Sequence, residues 1–305
     1  MDIEILAEGL RFPEGPVVMA DGSIILVEIA RGAITRVWGD GRSEVVATPG
    51  DGPNGAAVGP DGALYICNNG GFEYHDWNGL LVPGHAPENY QTGRIERIDL
   101  NSGHVDRLYD ACDGRGLKGP NDIVFDRHGG FYFTDLGKSY GDRRVRDFGG
   151  LYYALPDGSK IVELADGLVS PNGVGLSPNE DVVYVADTIP GRLWAFDVVA
   201  PGELAPSPIM FQKGRLVAGP GGGDMFDSLA VTASGAVCVA TLLNGGVTTI
   251  QPDGAFAHTP MPDPLVTNIC FGGDDLSDAF ITLSGTGKLA RARWPEPGLK
   301  LNFNA

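Results

Sequence analysis

Short apolar and β-branched runs recur along this chain in pairs, each pair flanking a turn rich in Gly, Asp, Asn and Pro, a pattern that predicts hairpins throughout. One motif heads each group of runs: PEGPVVMADGSIILVE from Pro13, PNGAAVGPDGALYICN from Pro53, PNDIVFDRHGGFYFTD from Pro120, PNGVGLSPNEDVVYVAD from Pro171, FDSLAVTASGAVCVAT from Phe226 and TNICFGGDDLSDAFITL from Thr267. A second hairpin usually follows, as in GRIERIDLNSGHVDRLY and GGLYYALPDGSKIVELA. Four strands per unit in six units predicts an all-β fold, a six-bladed β-propeller occupying residues 1–305 as one domain. The stretch from Ile3 to Leu10 has no partner in its own repeat, so it is expected to close the ring as the outer strand of the last blade, beside GKLARARW. A pair of β-sandwiches would leave the sixfold recurrence unexplained.

Aligning the copies picks out the residue before each first apolar run: Glu14, Asn54, Asn121, Asn172, Asp227 and Asn268, at separations of 40, 67, 51, 55 and 41. Innermost strands of a propeller line its axis, so these scattered positions are expected to converge as one ring. Two carboxylates and four carboxamides offer oxygen acceptors without histidine or thiolate, which suits a hard divalent cation, calcium first. The histidines, His75, His85, His104, His128 and His258, lie outside the ring positions. Taken singly, each Asn or Asp is equally a turn residue at a strand start; two carboxylates in one channel are what call for a neutralising ion.

Composition narrows the partners. A formal charge of −17 repels phosphate backbones and anionic lipid, so nucleic acid and membrane are not expected partners. Residues Met1 to Gly9 lack the basic and apolar regions of a secretory signal, and no 18-residue apolar run occurs. Cys67, Cys112, Cys238 and Cys270 are widely spaced and read as buried free thiols, consistent with a cytoplasmic location. The oligomeric state has no signature in the sequence.

The motifs FPEGP, GPNDIVFDRHGGFYFTD, SPNGVGLSP, DSLAV and TNICFGGDDLSDAFITL together resemble the family of senescence marker proteins, gluconolactonases and luciferin-regenerating enzymes, in order and over nearly the whole chain. The resemblance implies a six-bladed propeller with a catalytic divalent ion, commonly calcium, with Mn, Mg, Zn or Fe as alternatives. It implies Glu14, Asn121, Asn172 and Asp227 as metal ligands and a small-molecule lactone or ester as substrate. Ser228 after Asp227, with YFTDLGKSY and GGLYY, resembles the drug-responsive bacterial lactonases; Ser228 and Asp122 stand beside the ligands as further metal contacts or as supports behind them. Asn54, Asn121 and Asn268 are expected to meet substrate. Gly119 stands where animal sugar lactonases carry an arginine, so a lactone less polar than gluconolactone is expected.

The implied chemistry is hydrolysis of a cyclic ester. The ion polarises the carbonyl while Asp227, or the ion's own water, serves as base; the sequence leaves both open. A phosphotriesterase of the organophosphate-cleaving kind and a non-catalytic calcium-binding scaffold are the alternatives. GPGGGD at residues 219–224 lacks the Gly-Lys-Ser/Thr ending of a phosphate loop, and no GxSxG elbow is present. The insertion from Phe72 to Thr92 carries Tyr74 and Trp77, which read either as a lid lining the substrate's path or as a cluster holding a long loop. Arg143, Arg144 and Arg146 form a basic stretch that either steers an acidic lactone or decorates a turn.

Overall fold

One β-bulge, repeated at the same place in every blade, sets the architecture. The computed structural model describes residues 1–141, 145–207, 209, 210, 212 and 214–304. In each inner strand the register shifts where the ring residue stands: between Glu14 and Val17, Pro53 and Ala56, Pro120 and Ile123, Pro171 and Val174, Phe226 and Leu229, and Val266 and Asn268. A bulge adds a residue to one strand, bends it and re-aims a side chain; Asn54, Asn121, Asn172 and Asp227 fall inside the irregularity without a ladder partner, while Glu14 and Asn268 stand at its edge opposite Val27 and Thr282. The residue after the ring position must then be small or specially accommodated. A Cβ on Gly55 would stand 2.5 Å from the Asn121 carbonyl oxygen, and one on Gly173 would stand 2.8 Å from that of Asp227.

Behind these starts the strands run as antiparallel meanders. The first blade comprises Pro13–Val18, Ile24–Glu28, Ala33–Val37 and Ser43–Ala47, and the second Pro53–Val58, Leu64–Asn68, Arg94–Ile98 and Val105–Tyr109. The third contains Pro120–Phe125, Phe131–Asp135, Gly149–Ala154 and Ile161–Leu168, and the fourth Pro171–Leu176, Val182–Asp187, Arg192–Ala200 and Arg215–Ala218. The fifth has Met225–Val231, Val237–Leu242, Gly246–Ile250 and Phe256–Pro260. In the sixth, Val266–Gly272, Asp278–Leu283 and Lys288–Arg293 are completed by Ile3–Ala7, with Ile3 opposite Ala292 and Ile5 opposite Ala290. The expected six-bladed propeller and its N-terminal closure are therefore both present. Among the described residues there is no helix.

The core is divided in the same way. Among the described residues six apolar clusters occur, and each straddles two neighbouring blades: Phe125, Phe131 and Tyr65 join the second and third, for example, while Leu6, Leu26, Phe280 and Leu289 join the sixth to the first. Central positions of the second strands, such as Leu26, Ile66, Phe133, Val185 and Ile281, are completely buried. This layered packing holds the inner strands side by side around the axis, the sixth beside the first.

The thiols are all free; Cys67, Cys112 and Cys238 are buried as expected, whereas Cys270 is only partly covered because the sixth blade's inner strand faces the channel there.

Closure makes a direct test available. Deleting residues 1–7 strips the last blade of its outer strand and removes buried Leu6, whose burial alone is worth about 2 kcal/mol. The truncated chain is expected to melt at least about 5 °C lower and to aggregate through the exposed strand edge. Thermal unfolding with light scattering reads both; an unchanged melting point would show that the closing strand is dispensable.

Candidate functional site

The bulges bring the six ring residues to the channel, where Glu14, Asn54, Asn121, Asn172, Asp227 and Asn268 are all buried. Their contacts sort them. Asn268 Nδ2 donates to Glu14 Oε2 at 2.6 Å, and Gly15 N–H donates to the same oxygen at 2.7 Å, fixing this carboxylate across the junction of the sixth and first blades. Asn268 Oδ1 also accepts from Ile269 N–H at 2.8 Å, so this amide is occupied in positioning Glu14. Ser228 Oγ donates to Asn172 Oδ1 at 3.3 Å, and the Asn172 amide in turn supports Asp227. Asp122 turns aside from the ring position to accept from Ile123 and Val174 N–H groups at 3.0 and 3.2 Å, tying the third blade to the fourth.

These carboxyl groups sit where water is scarce. Beneath them the channel opens into a cavity of about 330 Å³ lined by residues such as Val17, Phe125, Leu229 and Phe271, and reaching Asp122 and Asn268. Burial pushes Glu14 up to about 7 against the hydrogen bonds from Asn268 and Gly15, and pushes Asp122 up to about 8, with the charge of Glu14 adding to it. Asp227 is raised well above the carboxylate range by burial first and by Glu14 second. Among the described residues no three His, Cys, Asp or Glu side chains assemble into a metal-holding group. Any cation site here must therefore use the carboxamides, and Asn121 Oδ1 fits that need: it is a buried acceptor with no hydrogen-bond partner. The donor set and this unpaired oxygen together fit a hard divalent ion.

Above the ring, the insertion between the second and third strands of the second blade forms a hairpin, Tyr74–Trp77 with Leu80–Pro83, that arches over the mouth. Leu81 N–H donates to the Gly285 carbonyl of the sixth blade at 2.9 Å, and Ala86 N–H donates to the Ser139 carbonyl in a loop of the third blade at 2.9 Å. Tyr74 packs on Phe12 at a ring separation of 5.4 Å, and its buried hydroxyl has no partner. Trp77, by contrast, lies on the outer side of the hairpin and is 64% exposed, away from the ring residues.

Lys138 anchors the other end of this arch. Its buried ammonium donates to the Gly71 carbonyl at 2.6 Å and stands 3.9 Å from the centre of the Phe72 ring, while burial pushes its pKa down to about 7. Arg146 is a clamp, donating to the carbonyls of Leu136 and Val169 at 2.8 and 3.2 Å, and Arg143 and Arg144 lie outside the described residues. A further set of polar residues ends the second strands. Glu28, Asn68, Asp135 and Asp187 accept from the backbone just before each inner strand, as when Asp135 takes the N–H groups of Lys118 and Gly119 at 2.7 Å. They were visible as the polar last letters of LVE, YICN, FYFTD and VYVAD.

The model of the SMP-30/Gluconolactonase/LRE-like region matches residues 12–285, all six inner strands included. The chain belongs to this family. A gluconolactonase of Zymomonas mobilis is 25% identical over 297 residues, covering 88% of this chain and 76% of its own. Lactonase drp35 of Staphylococcus saprophyticus is 29% identical over 207 residues, covering 67% of this chain and 56% of its own, so this chain spans little more than half of that relative. Regucalcin of Agrobacterium tumefaciens, described as a calcium-binding protein, superposes with a TM-score of 0.71 at 19% identity over 96% of this chain and 95% of its own, a likeness of fold. A Cβ at Gly119 would meet the Gly137 carbonyl oxygen at 2.7 Å, so the loop after Asp135 leaves little room for a side chain at this position.

The raised carboxyl groups give a pH signature for the cation-free protein. Because the folded state holds protons that the unfolded chain has already released, stability from this source is complete below about pH 4 and is lost as pH rises through about 7 for Glu14 and about 8 for Asp122. In chelator, the melting temperature is expected to fall between about pH 5 and 8.5, and Glu14→Gln is expected to flatten the lower part of that fall. A level melting curve across the window would contradict the assignment.

Proposed function

We propose that this chain hydrolyses lactones, and that Glu14, Asn121, Asn172 and Asp227 hold a divalent cation in the channel. The observation that carries the reading is the unpaired Asn121 Oδ1 among three buried, mutually repelling carboxyl groups, an arrangement that calls for a positive partner. The names of the Zymomonas and Staphylococcus relatives support the reaction class. All-oxygen donors favour calcium, in keeping with the regucalcin neighbour, and admit Mg or Mn; Zn and Fe are poorer matches to a site without histidine. When bound, such an ion supplies Lewis acidity to an ester carbonyl and compensates the charge of the carboxylates.

The side chains divide the remaining work. Asp227, supported by Asn172 and backed by Ser228, is the residue we assign as the base that takes the proton from the attacking water. Glu14 is held rigid by Asn268 and Gly15, which keeps its carboxylate in place at little entropic cost on binding. Asp122 has its carboxylate engaged by backbone donors, so its work is to fix the spacing of the third and fourth blades. The arch carrying Tyr74 limits water at the mouth, and Asn54 and Asn121 are the ring residues left to meet substrate.

Chelation is expected to abolish hydrolysis of a lactone panel, and added Ca or Mn to restore it. Asp227→Asn is expected to lower kcat by about 10²–10⁴, the usual worth of a general base, with the cation still bound by calorimetry. Full activity in chelator would refute the cation-dependent reading; full activity of Asp227→Asn would remove Asp227 as base.

A further inference from the structure

Buried polar atoms in native proteins almost always have a hydrogen-bond partner, so those without one point to something that completes them. Among the described residues, such side-chain atoms are Asn69 Nδ2, Tyr74 OH, Asn121 Oδ1, Thr188 Oγ1 and His258 Nε2. His258 lies on the outermost strand of the fifth blade. Of the other four, Asn121 holds a ring position, Asn69 and Thr188 directly follow the second strands of their blades, and Tyr74 lies on the arch.

Asn69 and Thr188 occupy the same structural position in different blades. The ladder of the second blade ends with Pro53 opposite Asn68, and that of the fourth with Pro171 opposite Asp187. One residue further on, Asn69 N–H donates to the Gly52 carbonyl at 2.8 Å and Thr188 N–H to that of Ser170 at 3.0 Å. Equivalent bonds place Ile29, Leu136 and Ser284 in the first, third and sixth blades. Ile29 and Leu136 are apolar, and the Ser284 hydroxyl is satisfied by the Pro13 carbonyl at 2.5 Å. Unsatisfied donors at this level thus flank the third blade, whose Asn121 supplies the unpaired acceptor.

Asn69 is also oriented. Its Oδ1 accepts from Gly71 N–H at 2.8 Å and from the Lys138 ammonium at 3.4 Å, which leaves the amide nitrogen as a fixed donor on a completely buried side chain. Lys138 is a positioning residue here, holding both the arch and the amide. Thr188 is nearly as buried, and Gly191 N–H donates to its carbonyl at 3.0 Å, closing the turn that carries it.

The structure assigns Asn69 and Thr188 as specificity-determining residues that hydrogen-bond oxygen substituents on the ring of a bound lactone, an inference that rests on the lactonase reading. It runs counter to the preference for a low-polarity lactone expected from Gly119, and the same experiment separates the two.

The test compares glucono-δ-lactone with δ-valerolactone, the same ring without hydroxyl groups, using the cation-loaded protein. Thr188→Val keeps the shape of the side chain and removes its hydroxyl, and Asn69→Leu removes the fixed donor. Each is expected to lower the ratio of kcat/KM for glucono-δ-lactone to that for δ-valerolactone by about tenfold or more, because a site built around a hydroxyl discriminates through the groups left unpaired. Thr188→Ser, which retains the hydroxyl, is expected to keep the ratio. A ratio unmoved in Thr188→Val and Asn69→Leu, in proteins that melt like the parent, would overturn the assignment and leave these atoms to ordered water. If the parent hydrolyses neither lactone, the catalytic reading falls. Calorimetry with gluconate and valerate then decides the present one: tighter gluconate binding that weakens in Thr188→Val supports it, and equal affinities overturn it.

Discussion

A carboxylate taken out of water into a medium of low polarity loses several kcal/mol of solvation, and this propeller takes Glu14, Asp122 and Asp227 into one channel. Everything near the axis answers to that. Glu14 is compensated by an amide from the neighbouring blade, Asp122 by backbone donors on two blades, and Asp227 by Asn172. The compensation is partial, since burial still dominates each of them. Such a site is poised to take up either protons or a cation, and the choice between the two links its chemistry to the stability of the fold.

The bulge makes this arrangement compatible with a tightly packed body. A regular strand would alternate the ring residue with its neighbours across the ladder, and the polar group would compete with the apolar layer for the same face. An extra residue at each start separates the two demands, and it does so six times. The glycines at Gly55 and Gly173 belong to this solution, because neighbouring blades approach closely there.

The blades and ring were legible because one motif recurs with its polar residue at a fixed offset, so periodicity alone predicts convergence. The bulge left a trace in Pro-Asn-Gly, which reads equally well as a turn. Residues such as Asn69, Thr188 and Lys138 could not be read in this way. A lysine in the loop DLGKSY looks solvated until the insertion from another blade folds over it, and Asn69 is one of two adjacent asparagines of which the first is a ladder partner. Asn268 was recognised as a ring residue and Asp122 as a neighbour of the ring, but only their hydrogen bonds show that they brace other groups. Trp77 carried the size of a substrate contact, yet on the short hairpin its side chain is exposed.

The pairing of Ile3–Ala7 with Lys288–Arg293 has a kinetic meaning. Each of the other blades joins strands that are near in sequence, so their hairpins can form early and locally. The last blade cannot be completed until nearly the whole chain has been made, and until then two strand edges stay open to any other strand in the vicinity. The closing step is therefore both the slowest contact to find and the moment at which the molecule is most exposed to pairing with a second copy of itself.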